Sequence, residues 1–285
     1  MKKFILKNIA VVLATSIMFT LSSTAHAEST DELRFSNVLT EEQIIEKQNT
    51  KDILDSFVQD EYFKRYNEDE TVEDMYDAIE EKKKILARDL TYPSSYTASV
   101  TWQGQNTGSY CGPATASMLL SCTNYSATQD QIAAYIYNTT THTTGWTNSS
   151  NQNNMATGLN TWQSNWSYYH VPQWTYSGHN KSTTPQNDLW DGMKFTIYMD
   201  YGTAISGCSQ KTGISHMPNY PTTEHIYHWV VCNGWTANND FIITDPASGK
   251  YYTDGEIIYD FTSVQQTYSV TSAKLYAFIN YGVVY

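Results

Sequence analysis

The sequence predicts an α+β fold, with one helical side and one sheet side. Two observations carry this. Apolar residues recur at helical spacing in segments that end near Gly202. Beyond that point the runs "GTAISGC", "HIYHWVVCNGW", "DFIITDP" and "KYYTDGEIIYDF" are β-branched and aromatic, and turn residues separate them. Helices early and strands late place the two kinds of element on separate layers.

The elements follow in chain order. Lys2, Lys3 and Lys7 precede the apolar "IAVVLATSIMFTL", and "AHA" supplies small residues at 25–27. This is the pattern of a secretory signal over 1–27, so the expected product is released outside the cell, with no stable membrane association. Residues 28–92 predict a charged helical segment. In "TVEDMYDAIEEKKKILARDL", Val72, Met75, Tyr76, Ile79 and Leu86 share a face, and Thr71 with Asp74 offers a cap. Lys82–Lys84 and Arg88 follow the acidic start, as the helix dipole favours. Upstream, "ILDSFV" and "EYFKRY" predict shorter helical pieces, and Pro93 closes the segment. A removable cover over a cleft is one reading of this segment; a helical subdomain is the other.

Residues 93–285 predict a single domain. The chain carries a formal net charge of -12, but Glu28–Leu90 holds 19 of its 29 acidic residues. The remainder is weakly charged and rich in Tyr, Trp, Thr, Ser and Asn. It offers no basic face for nucleic acid. Four cysteines are too few for a disulfide scaffold at this length, and Cys208 with Cys232 is the first pair to consider. No Cys-x-x-Cys or His-Glu-x-x-His motif occurs, and nothing in the sequence asks for a metal or organic cofactor.

In "SYCGPATASMLLSC", Gly-Pro after Cys111 predicts a helix start, with Ala114, Met118 and Cys122 on one face. A thiol at that position feels the positive end of the helix dipole, which favours the nucleophilic thiolate. Thr128 caps a second helix in "TQDQIAAYIY". A polar loop follows, and "TPQNDLWDGMKFTIYMDYG" predicts a helix stopping near Gly202.

Acyl chemistry at Cys111 needs a base, an orienting group and an oxyanion donor. His228 opens the apolar strand "HWVV", a rigid place for an imidazole. Asp245 ends the next strand at Asp-Pro, where a carboxylate can fix an imidazole tautomer. Gln105, six residues before Cys111, brings an amide for an oxyanion. His216 and His225 compete as base, and Gln103 and Asp240 for the supporting roles.

The set "QNTGSYCGPA", "HWVVCNGW" and "TDPASG" resembles cysteine peptidase family thirty-nine, a papain-like group that includes the leader-removing domains of bacteriocin exporters and secreted stand-alone relatives. The resemblance implies a papain-like fold, with a nucleophile helix packed on an antiparallel sheet carrying His and Asp. It implies Cys111 as nucleophile, His228 as general base, Asp245 as orienting carboxylate and Gln105 as oxyanion donor, acting on a peptide or protein substrate. Thr203 stands where the family often has Pro. A transglutaminase-type acyltransferase or a cell-wall peptide hydrolase would use the same order of residues. A non-catalytic aromatic-rich binding protein is the remaining alternative.

Overall fold

A computed structural model describes residues 39–67, 71–147, 152–163, 166–172, 186–254 and 257–285. The signal-like stretch 1–27 lies outside the described residues. Residues 35–285 cluster as one compact unit.

In chain order the elements are α1 (Glu41–Asn67), α2 (Val72–Asp89), β1 (Tyr96–Thr97), α3 (Cys111–Leu120), α4 (Gln129–Ile136), β2 (Tyr137–Asn138), β3 (Thr143–Thr144), α5 (Met155–Trp162), β4 (His170–Pro172), α6 (Gln186–Tyr198), β5 (Thr203–Ser209), β6 (Ile226–Trp235), β7 (Phe241–Thr244), β8 (Tyr251–Asp254), β9 (Ile257–Asp260), β10 (Thr267–Val270), α7 (Ser272–Phe278) and β11 (Ile279–Val284). The main sheet runs β10-β7-β6-β5-β11-β4, with β1 also paired to β6. Every pairing in it is antiparallel. The α+β layout expected from the sequence is the layout observed.

α3 packs on β6 and β5 at the centre of the molecule. Gly112–Leu120 are all buried, so the helix is enclosed on every side rather than amphipathic. β6 is equally enclosed: only Tyr227 of its ten residues is exposed. Gly112 is fixed by crowding. A Cβ there would stand 1.9 Å from Thr144 Oγ1, so only glycine lets β3 close over the start of α3.

Three sequence expectations are corrected. "ILDSFV" and "EYFKRY" lie in one 27-residue helix, α1, because no Gly or Pro interrupts them. α6 ends at Tyr198, four residues before Gly202. Its stop is a Schellman turn: Tyr201 N–H bonds Thr196 O (3.1 Å), Asp200 N–H bonds Ile197 O (3.0 Å), and Asp200 takes the left-handed position at φ +73. Lastly, Cys208 and Cys232 are both free and cannot pair. Cys208 stands opposite Tyr227 and Cys232 opposite Thr203, five rungs or roughly 16 Å apart along the ladder.

Thr71 forms the expected capping box with Asp74, and Thr128 forms one with Gln131. Among the described residues no helix is long and apolar enough to cross a membrane.

Candidate active site

α3, β6 and β7 bring three of the predicted residues into contact. Cys111 is the first residue of α3 and is half-buried. Its Sγ lies beside the His228 imidazole and faces the backbone N–H groups of Trp229 and Gly112. His228 lies two residues into β6 and is 5% exposed. Its Nε2 stands 3.0 Å from Asp245 Oδ1, which leaves Nδ1 for the sulfur. Asp245 follows β7 and is fully buried.

A buried carboxylate must be saturated with donors, or it costs several kcal/mol. Asp245 is saturated. Oδ1 accepts His228 and the Ala247 N–H (2.9 Å); Oδ2 accepts the hydroxyls of Tyr220 (2.5 Å) and Tyr268 (2.8 Å). The Ala247 bond is an Asx turn, which "DPA" encodes locally. Below the imidazole lies Phe261, stacked at 19° with ring centroids 6.2 Å apart, while Tyr220 meets it edge-on at 5.9 Å.

The electrostatics follow from this packing. Burial opposes the charged form of His228, but Asp245 and then the Cys111 sulfur outweigh it and lift the imidazole to about 10. Burial likewise opposes the Cys111 thiolate, yet His228 and the two backbone N–H groups bring the thiol below its ordinary range. Asp245, despite burial, is held below the usual carboxylate range by His228, Tyr220 and Ala247. The arrangement favours a thiolate–imidazolium pair. The other thiols go the opposite way: burial raises Cys122 and Cys208 to about 11 and Cys232 to about 12.

Gln105 is 2% exposed, in the loop before α3. Its backbone N–H bonds Pro246 O (2.9 Å), and its carbonyl accepts the Tyr252 hydroxyl (3.1 Å), tying this loop to the segment that carries Asp245. Gln129 on α4 brackets it from both sides, donating to Gly104 O and accepting Asn106 N–H, each at 2.9 Å. The Gln105 side chain differs from expectation in one respect. Nε2 donates to Thr107 O (2.9 Å) and Gly108 O (3.1 Å), and Oε1 is buried with no partner among the described residues. Both amide hydrogens therefore brace the turn before Cys111. Serving an oxyanion requires one of them, the longer bond to Gly108, to be released.

The competing residues lie elsewhere. His216 bonds Gln210 O through Nδ1 (2.8 Å), and His225 is exposed just ahead of β6. Gln103 accepts the Ser117 hydroxyl on the flank of α3 (2.8 Å). Asp240 belongs to the β6–β7 turn, at the other end of β6 from His228. His170, pushed down to about 4 by burial, is a neutral ring against Trp146, centroids 4.6 Å apart. Sequence reasoning missed Tyr220, Tyr268 and Phe261. They come from loops and an edge strand far along the chain, and no local motif marks them.

A family model, the Peptidase_C39 like family, matches residues 97–275. The chain belongs to that family. The match spans α3, β6 and β7 and therefore every residue of the cluster just described. No curated protein matches the sequence. As a member of a peptidase family this chain is a hydrolase, and its substrates are peptides or proteins. The papain-like fold that the motifs implied is the fold of this peptidase.

Proposed function

We propose that this peptidase is a secreted cysteine peptidase working through Cys111, His228 and Asp245, with Gln105 as oxyanion donor. The observation that supports this most is the buried line from Cys111 through His228 to Asp245. It combines a depressed thiol, a raised imidazole and a fully bonded carboxylate at one helix start.

The Cys111 thiolate attacks the scissile carbonyl, and a C–S bond forms as the carbonyl oxygen takes the negative charge. Gln105, once it releases its bond to Gly108 O, and the Cys111 backbone N–H stabilise that oxygen. His228, already protonated, gives its proton to the departing amine as the C–N bond breaks. The neutral imidazole then takes a proton from water. The hydroxide adds to the thioester carbonyl, the C–S bond breaks to return the thiolate beside the protonated imidazole, and the product leaves as a carboxylic acid that gives its proton to solvent. Asp245 keeps the ring oriented throughout and compensates its charge. Secretion rests on the signal-like 1–27, and the expected mature chain begins near Glu28.

The test is hydrolysis of a fluorogenic peptide library by the protein recovered from culture medium. Cys111→Ala is expected to lower the rate by about four orders of magnitude or more, with the thermal midpoint little changed. Iodoacetamide is expected to label Cys111 ahead of the other thiols. Hydrolysis surviving in Cys111→Ala overturns the reading, and so does transfer of added amines outrunning hydrolysis.

A further inference from the structure

The helix pair α1–α2 is seated at the end of the molecule opposite Cys111, and lysines seat it. Lys83 of α2 is 2% exposed. Its ammonium donates to Ser167 O and stands 3.7 Å from the Trp166 ring centroid and 5.2 Å from that of Tyr169. On α1, Lys47 reaches Asp200 Oδ1 (2.7 Å) and the Tyr96 hydroxyl (2.5 Å), while Lys51 reaches Asp200 Oδ2 (3.0 Å). The Tyr96 hydroxyl also bonds Asp200. Leu54 and Ala87 join the main core.

Asp200 carries an independent sign that this contact is built in. It holds the left-handed turn position that glycine fills without strain, at φ +73. An aspartate there costs backbone energy, and its carboxylate is the group that both α1 lysines need.

The distances separate this seat from the catalytic cluster. Gly202, two residues after Asp200, lies beside Cys122, which is about 16 Å along the α3 direction from Cys111. Tyr96 pairs with Trp235, about 23 Å along β6 from His228. Tyr169 and Ser167 precede β4, whose partner Val284 pairs with Ala204, close to the Thr203 end of β5. His228 pairs with Gly207, toward the other end.

We propose that α1–α2 is a standing buttress rather than a cover. The Lys83 socket and the Lys47–Lys51–Asp200 cluster hold it, and Cys111 stays open to substrate while it is present. Processing between residues 28 and 92 is then not a switch for activity. The catalytic half of this proposal rests on the cysteine-peptidase reading; the docking half does not.

The experiment uses the chain from Glu28 with a site-specific protease sequence inserted between Ser94 and Ser95. After cutting, the two pieces are expected to co-elute on size exclusion. The rate of iodoacetamide modification at Cys111, read by peptide mapping, is expected to change less than threefold, and hydrolysis of the peptide library likewise. Lys83→Met keeps the side-chain stem and removes the donor and charge. In the cut chain it is expected to release the helix pair, whereas Lys83→Arg retains it. Asp200→Asn, with its turn kept, gives the same readout if Lys83→Met fails to fold. Separation of the pieces in the unsubstituted cut chain, or continued co-elution with both anchors substituted, overturns the docking. A rise of threefold or more in Cys111 labelling on cutting overturns the open cleft. Labelling without any hydrolysis sinks the peptidase reading and leaves the docking standing.

Discussion

The two ends of α3 solve the problem of a buried charge in different ways. At the Cys111 end the buried carboxylate of Asp245 has four donors, one of them the imidazole of His228. At the Cys122 end the amine of Lys83 has one carbonyl and the faces of two aromatic rings. The first arrangement holds its charge firmly and raises the neighbouring imidazole of His228. The second is looser: burial pushes the Lys83 amine well below its usual range, with only Glu80 opposing. A saturated network tunes reactivity, whereas a lysine laid on aromatic rings attaches one element to another.

Three variants test this contrast. The largest effect is expected from Asp245→Asn, which frees His228 to turn and removes its counter-charge. kcat/KM is expected to fall by about 10²–10⁴, with the helix pair still docked in the cut chain. A loss under tenfold would mean that Asp245 is structural only. Next comes the double change Lys47→Met with Lys51→Met at the other end. Denaturant unfolding is expected to show a loss of about 1–2 kcal/mol, less of it from Lys51, whose pair is partly exposed, than from Lys47. kcat/KM should stay within about twofold, since additivity holds for distant sites. A large catalytic loss here would erase the distinction between the two ends.

The smallest effect is expected from Tyr268→Phe, and its value is diagnostic. The unsubstituted enzyme should gain activity as Cys111 loses its proton, below the ordinary thiol range. It should lose activity as His228 loses its proton near pH 10. Removing one hydroxyl leaves the Asp245 charge less dispersed, so it holds the imidazolium harder. The alkaline limb therefore moves up while the rate at neutral pH falls only a few-fold. An unmoved limb would show that Tyr268 packs against the carboxylate without tuning it.

How legible this molecule was depended on how local each signal is. Gly-Pro after Cys111, the Thr71 and Thr128 boxes and the Asp245 turn are all short-range chemistry, and each stands where the sequence placed it. Strand pairing is not short-range. The register that separates Cys208 from Cys232 could not be read from spacing, because a ladder aligns residues according to its turns and bulges. The choice of His228 over His216 and His225 had the same character. Three histidines flank one sheet, and only the fold decides which ring meets both a helix start and the end of the next strand.

Local chemistry was enough to set the classes of element, the caps that begin them and the order Gln105, Cys111, His228, Asp245. These are encoded by neighbours within a few residues, where backbone chemistry is fixed by side-chain type. Tertiary structure alone decided that Gln105 spends both amide hydrogens on its own turn, and that Tyr220 and Tyr268 complete the carboxylate's shell. It alone decided that Lys47 and Lys51 of the first helix meet Asp200. Those outcomes join groups up to about 150 positions apart, such as Lys47 and Asp200. Such contacts are set by packing and by the need to satisfy each buried polar atom, which no local window contains.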